Sequence, residues 1–320
     1  MDALADVLKT IRLHASTYFC RDFTPTWGMD IEHSHNGSFH IIVEGECWVK
    51  LPNSANPIHM VTGDIVAFPT GGAHWISDRP ETKRICGKTA AKQIIAGDNP
   101  FNDGTNNASS QTLLCGAFNY DSSITHPFLR DLPCFIHIQT NQNPELTWLK
   151  ELVLILSRES KNPSPGSSVI IDRLTEVLFI QILRTYVQRE HEQLDYMTAL
   201  SDAKIGPTLN LIHAEEHADW SVEKLANEAA LSRSAFTERF IKHVGETPKT
   251  YLINWRMQKA KSKLKDADMS MFEIAESAGY SSEAAFSKAF KQYFSHSPGA
   301  FRKHQNELNN ASPAKYVKRV

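Results

Sequence analysis

Across its 320 residues the chain sets 34 Lys+Arg against 36 Asp+Glu, a formal net charge of −2 at pH 7, with 41% hydrophobic and 22% charged residues. That balance excludes a disordered polyelectrolyte, a collagen-like repeat and a low-complexity chain, and the length predicts two packed domains. The longest aliphatic run, Leu152 to Leu156, falls far short of the ~18 residues of a membrane span, and the acidic start Met1-Asp2-Ala3-Leu4-Ala5-Asp6 lacks the basic flank of a secretory signal, so a cytoplasmic chain with no membrane partner is expected.

Up to about residue 140, short β-rich runs at 39–43, 47–51, 65–68 and 135–138 alternate with Gly, Pro and Asn. They predict an antiparallel β-barrel. Within it, Gly63-Asp64-Ile65-Val66-Ala67-Phe68-Pro69-Thr70-Gly71-Gly72-Ala73-His74 resembles the second cupin motif, with Asp78 where that motif usually ends in Asn. Phe39 to Trp48, Leu114-Cys115-Gly116 and His126-Pro127-Phe128-Leu129 resemble the cupin-type sensor attached to many AraC-like regulators. The resemblance implies an effector site inside the barrel. His33, His35, His40 and His74 fit the rough spacing of cupin ligands, with His40 where metal-binding relatives usually place Glu. Imidazoles suit Zn, Cu, Ni or Fe, so a divalent transition metal is one reading. In the other, His40 and His74 are hydrogen-bonded barrel residues and His33 and His35 sit on a loop.

Five cysteines, Cys20, Cys47, Cys86, Cys115 and Cys134, form an odd set without a C-x-x-C pair, which argues against a disulfide framework or a thiolate zinc knuckle. Cys20 and Cys115 are the candidate pair for a regulatory disulfide answering an oxidant, with packing as small apolar residues the alternative. Cys47 and Cys134 are expected to pack. The Gly- and Asn-rich stretch 88–111 predicts a mobile loop.

Farther along, Leu149, Leu152, Val153 and Leu156 mark an amphipathic helix, and Asn162-Pro163-Ser164-Pro165-Gly166 breaks it. A second helix follows from about 168 to 190, with Ile171, Leu174, Val177, Leu178, Ile182 and Leu183 apolar almost all round. That surface needs a partner, either the barrel or a second copy of the chain. The hairpin, 146–190, completes a sensor domain over 1–195. A linker is expected at 196–207, a helical domain at 208–305 and a tail at 306–320.

The helical domain carries an internal repeat. Ala226-Asn227-Glu228-Ala229-Ala230-Leu231-Ser232 aligns with Ala275-Glu276-Ser277-Ala278-Gly279-Tyr280-Ser281 at a spacing of 49, and Phe236, Phe240 and Pro248 align with Phe286, Phe290 and Pro298 at 50. Each copy predicts helix, tight turn and second helix. Ser221 caps the first, with Trp220 stapled onto Leu225; Ser232 caps the next; Ser270-Met271-Phe272-Glu273 reads as a capping box. Ala226, Ala229, Ala275 and Ala278 let the paired helices approach closely. With the Phe stripes buried, Arg233, Ser234, Thr237, Glu238 and Lys242 face solvent in the first copy, and Ser282, Glu283, Ser287, Lys288 and Lys291 in the second. Such hydroxyls and cations suit base edges and phosphates. The charge distribution agrees: 1–203 carries a net −7 and 204–320 a net +5.

From Ser221 to Arg302 the chain resembles the paired helix-turn-helix domain of AraC/XylS-type transcriptional regulators. The match runs through Leu225-Ala226, Leu231-Ser232, Gly245-Glu246-Thr247-Pro248, Trp255-Arg256-Met257, Ile274-Ala275, Gly279-Tyr280 and Ser297-Pro298. It implies recognition helices at 233–243 and 282–294 entering successive major-groove segments of double-stranded DNA, joined by a helix at 255–264. It further implies RNA polymerase as a partner and a homodimer through the hairpin, with activation or repression both open as the mode. Glu238 departs from the basic or amide reader frequent in relatives, and Ser295 stands where the first copy has the helix-ending Gly245. The expected class is α+β: a cupin-like antiparallel β-barrel with a helical hairpin, then an all-α double helix-turn-helix domain. The expected function is a DNA-binding regulator, not an enzyme, controlled by a small molecule, metal or oxidant. The alternative is a metal-dependent cupin enzyme carrying a DNA-targeting domain.

Overall fold

The computed structural model describes residues 2–102, 110–121, 124–189, 195–265 and 269–311. Along the chain run α1 (Ala3–Thr10), β1 (His14–Phe23), β2 (Gly28–Ile31), β3 (Gly37–Glu44), β4 (Glu46–Lys50), β5 (Ile58–Val61), β6 (Asp64–Phe68), β7 (His74–Ser77), β8 (Ile85–Cys86), α2 (Gly87–Ile95), β9 (Gln111–Asn119), α3 (Pro127–Arg130) and β10 (Ile136–Gln139). Then come α4 (Thr147–Lys161), α5 (Ser167–Arg189), α6 (Tyr196–Ser201), α7 (Ile205–Ala214), α8 (Val222–Glu228), α9 (Arg233–Val244), α10 (Pro248–Lys263), α11 (Met271–Ser277), α12 (Glu283–Phe294) and α13 (Pro298–Ala311). They form two compact units: Leu13–Tyr120 with Leu132–Arg189, and Met1–Arg12 with Asp121–Asp131 and Glu190–Val320.

The first unit is cupin-like. Its strands make two five-stranded sheets, ordered β1-β9-β3-β6-β10 and β5-β4-β7-β2-β8. The pairing departs from a purely antiparallel barrel at β8, which lies parallel to β2. Phe19 and Phe23 of β1, Met29 of β2, Val49 of β4, Val66 and Phe68 of β6 and Leu113 of β9 meet in one buried cluster with Trp27. The Trp27 indole N–H donates to Gln111 Oε1 at 2.9 Å, so the ring enters the core without an orphaned donor. The stretch expected as a mobile loop instead opens with α2, because Ala90 and Ile94 have the spacing to join that core. Residues 103–109 of it lie outside the described residues.

Both predicted hairpin helices form, and their inner face packs on the sheet of the same unit. The Phe179 ring lies 4.0 Å from that of Phe118 on β9, and Thr175 and Thr17 hydroxyls are 2.9 Å apart. Leu154, Ile155, Val169, Ile170 and Val177 remain exposed. Among the described residues no helix is long and apolar enough to cross a membrane.

The second unit is all-helical, and its sequence reach is wider than expected. Residues 196–201, expected within a linker, are α6, because Tyr196, Met197 and Ala199 are fully buried and Asp195 and Thr198 close a capping box. The stretch 126–129, expected in the sensor, belongs here with α3, as does α1. The expected tail overlaps α13 as far as Ala311, and the rest lies outside the described residues.

Within this unit the repeat folds twice. Ser221 and Ser232 accept from the N–H groups of Lys224 and Ala235, and Ser270 and Glu273 form the reciprocal capping box. Positive-φ positions fall at matched places: Ala230 at +52° and Gly279 at +77° in the tight turns, Gly245 at +81° and Ser295 at +65° after the second helices. Each copy therefore has glycine at one of its two left-handed positions and a strained L-residue at the other, a cost of about 1 kcal/mol apiece.

Candidate nucleic-acid interface

Geometry at the two second helices follows from their anchors. On α9, Phe236, Phe240 and Val244 are buried; on α12, Phe286 and Phe290 are buried and Phe294 packs against the same cluster. The Phe286 and Phe290 rings lie 5.5 Å apart, as do Phe236 and Phe240 at 5.6 Å. Holding those rings inward rotates the opposite stripe to solvent.

Arg233, Ser234, Glu238 and Lys242 are exposed on α9, and Glu283, Lys288 and Lys291 on α12. Thr237 and Ser287 are half-buried, closer to the helix flank than the spacing predicted. Thr237 also donates its hydroxyl to the Arg233 carbonyl at 2.8 Å, and the Ser282 hydroxyl caps α12 by accepting from Ala285. The Arg233 guanidinium reaches Glu223 at 2.8 Å, an exposed pair that solvent and salt screen.

Sequence reasoning passed over Arg239, which is exposed on α9 and reaches Asp202 at 2.5 and 3.1 Å. Burial alone would raise the Asp202 carboxyl, but Arg239 and the N–H groups of Ile205 and Lys204 outweigh it and hold it down at about 2. Asp202 thereby anchors the start of α7 to one flank of α9. The signal available in the sequence was only an Asp two residues before Lys204, common to many turns.

In the cupin-like unit the four imidazoles separate. His33 and His35 are exposed on the loop between β2 and β3, whereas His40 and His74 are buried and face each other, Nε2 to Nε2, at 2.8 Å. A single proton arrangement satisfies the whole chain of contacts. The Gly72 carbonyl can only accept, so His74 Nδ1–H donates to it at 2.8 Å. His74 Nε2 then accepts from His40 Nε2–H, and His40 Nδ1 accepts from the Cys115 thiol at 3.1 Å. Burial pushes His74 down to about 4, and burial with the neighbouring His74 holds His40 well below the usual imidazole range. Burial likewise keeps Cys115 a thiol.

This arrangement does not fit a metal. Its ring nitrogens are taken up by the Gly72 carbonyl, the Cys115 thiol and each other, His33 and His35 are exposed on a loop, and among the described residues no three His, Cys, Asp or Glu side chains converge as a ligand set. The reading of His40 and His74 as hydrogen-bonded barrel residues is the one that matches the geometry.

Nor does the register favour the disulfide. Cys20 pairs with Leu114 and Cys115 with Phe19, so the two thiols sit on adjacent strands but alternate faces. Cys115 turns inward to His40; Cys20 turns toward Ser157 of α4, at 3.4 Å. Linking them requires a one-residue slip of β1. Cys47 is buried as expected, but Cys134 is exposed. Cys86, also exposed, has its thiol lowered by N–H groups of Thr89 and Lys88 at the start of α2.

Comparison with known proteins gives a consistent answer. Residues 2–188 match a family model described as a cupin, and residues 225–304 one described as a helix-turn-helix domain. The chain is 31% identical over 306 residues to the HTH-type transcriptional regulator AlkR of Acinetobacter baylyi, covering 94% of this chain and 99% of that one. It is 30% identical over 314 residues to an HTH-type transcriptional regulator of Haemophilus influenzae, covering 95% and 99%. An AraC-like transcription regulator of Streptomyces lividans is 26% identical over 312 residues, covering 95% and 99%.

Proposed function

The chain belongs to the AraC-like helix-turn-helix transcriptional regulators, non-enzymatic proteins that bind DNA at specific sequences, and from that premise we propose that α9 and α12 read consecutive major-groove segments of one duplex. The observation that carries the proposal is the matched polarity of the two helices: each buries a Phe pair and turns Lys outward, with a half-buried hydroxyl, Thr237 or Ser287, on its flank. A helix fits the groove, and its partner fixes the entry angle. Lys242, Lys288 and Lys291 serve phosphates, with Arg233 beside them once Glu223 is displaced. Ser234, Thr237, Ser282 and Ser287 offer short hydroxyls to base edges or backbone. Glu238 and Glu283 can accept from a cytosine amino group and repel phosphates, which favours sequence discrimination over affinity.

The cupin-like unit is the effector-responsive part of this reading. A small molecule that binds the DNA-competent and incompetent states with different affinity would switch the regulator; equal affinity would switch nothing. The hydrogen-bonded closure of His40 and His74 favours a small organic effector over a metal, and the opposed Cys20 and Cys115 thiols argue against a direct oxidant link. The exposed Leu154, Ile155, Val169, Ile170 and Val177 of the hairpin support a homodimer, which would place four recognition helices on repeated half-sites. RNA polymerase is the downstream partner in this reading.

Lysine substitutions test it. Lys288→Ala and Lys291→Ala should each weaken binding of the full chain to its selected duplex about three- to tenfold and lower the salt slope by about 1, because each removes one phosphate contact and its counterion release. Lys242→Ala should behave likewise from α9. Unchanged affinity and slope in all three variants would remove both helices from the interface.

A further inference from the structure

Residues 124–131 connect β9 to β10 in the chain, yet every one of their long-range polar contacts described below is to the helical unit. Arg130, clamped by Asp131 at 2.6 and 2.8 Å, donates to the Val244 carbonyl at 3.0 Å and so closes the C-terminus of recognition helix α9. His126 reaches the Tyr251 hydroxyl on α10 at 3.1 Å. Thr125 accepts from Gln258 of α10 at 2.9 Å, and its hydroxyl lies 3.4 Å from that of Tyr293 on α12, the other recognition helix. One short stretch therefore touches both recognition helices and the helix between them.

The middle contact is deeply seated. His126 Nδ1 accepts from the Phe128 N–H, so its Nε2–H donates to Tyr251. Tyr196 also donates to the Tyr251 oxygen, at 2.8 Å, and Tyr251 gives its proton to His213 Nε2 at 2.6 Å. His213 Nδ1–H goes on to Asp6 of α1 at 3.2 Å, and Asp6 takes Lys259 of α10 at 2.8 Å. All six side chains are satisfied, and Tyr251 uses one donor and two acceptor sites with none left over. Such a network has one arrangement, which makes it suited to holding α10 at a fixed pose.

We propose that Thr125, His126 and Arg130 are positioning residues for DNA binding: a bracket that fixes α9 relative to α12 so that both enter the duplex in register. The bracket rests on the two-groove reading above. It differs from a stabilising contact in what it controls, namely the simultaneous engagement of two groove segments rather than the fold of either helix. Because it lies between β9 and β10 in the chain, it is also covalently continuous with the cupin-like unit.

The test uses the full chain and a duplex recovered from a random-sequence library by the wild-type protein, with two derivatives in which one or the other protected segment is scrambled. Thr125→Val and Arg130→Met remove the outer contacts while keeping side-chain bulk, and neither residue touches the DNA in the reading above. The combined variant should lose about tenfold in affinity for the intact duplex and less than twofold for either half-scrambled duplex, because only joint engagement needs a fixed spacing. Thr125→Val alone should show the same split to a smaller degree. Equal losses on all three duplexes, or no loss on the intact one, would overturn the bracket. If the wild-type chain itself binds all three duplexes alike, the two-groove reading fails first and takes the bracket with it, a result visible before any substitution is made.

Discussion

A Phe290→Ala chain is expected to lose its second helix-turn-helix and with it most of its specific DNA binding. Phe290 is fully buried between Phe286 and Phe294, with its ring 4.6 Å from that of Phe294 and 6.2 Å from that of Phe301. Truncating such a ring removes its transfer free energy and leaves a cavity, about 3–5 kcal/mol in total. A domain of this kind is stable by only about 5–15 kcal/mol, so the loss is a large share of the whole. Phe236→Ala should act equally on the first copy. Chemical denaturation followed by circular dichroism reads the effect. A midpoint within error of the wild type would mean that these rings do not anchor the recognition helices, and the outward assignment of Lys288 and Lys291 would lose its basis.

Acidification is expected to weaken the cupin-like unit well before carboxylates titrate. His40 and His74 are buried as neutral rings, and the unfolded chain offers them an ordinary value near 6.5. Their folded values lie below that, so the unfolded state binds more protons at mildly acid pH. The stability they contribute is complete above about 6.5, falls as pH drops through that value, and levels off only near the folded value of about 4 for His74. At pH 5 His74 alone costs about 2 kcal/mol relative to pH 8, and His40 acts in the same direction. Hydrogen exchange of the β3 and β9 amides from pH 8 to pH 5 isolates this unit from His126 and His213, whose imidazoles burial also lowers in the helical unit. Replacing the pair, as His40→Leu with His74→Phe, should flatten the dependence. A flat wild-type profile would contradict the neutral chain from Cys115 to Gly72.

What was legible in the sequence was whatever is local. Caps, turn positions and Phe stripes lie within a few residues of each other, so Ser221, Ser232, Ser270 and the second helix of each repeat, α9 and α12, could be placed from spacing, while their part in reading DNA came from the family resemblance. The cupin strands were legible for the same reason. The hub around Tyr251 was not, because it joins Asp6, His126, Tyr196 and His213, which no periodicity connects. The linker misled because 196–207 is short and has Ser201, Asp202 and Lys204 in its middle, while Tyr196 and Met197 at its start are fully buried. The four-histidine set misled differently: spacing places side chains on strands but does not reveal that His40 and His74 satisfy each other, and two loop histidines beside them resemble ligands in one dimension only. Cys20 and Cys115 turned on a parity that needs the register of β1 against β9 to be known, with its bulge between Thr17 and Phe19.

The measurement that bears most directly on the function is a hydroxyl-radical footprint of the full wild-type chain on a duplex it has itself selected. Two recognition helices in consecutive groove segments predict two protected windows about one helical turn, ~10 bp, apart for each copy of the chain bound. In the Lys288→Ala variant the window belonging to α12 should fade while the other stays. A single continuous or single short window for each copy, unaltered by that substitution, would contradict the account.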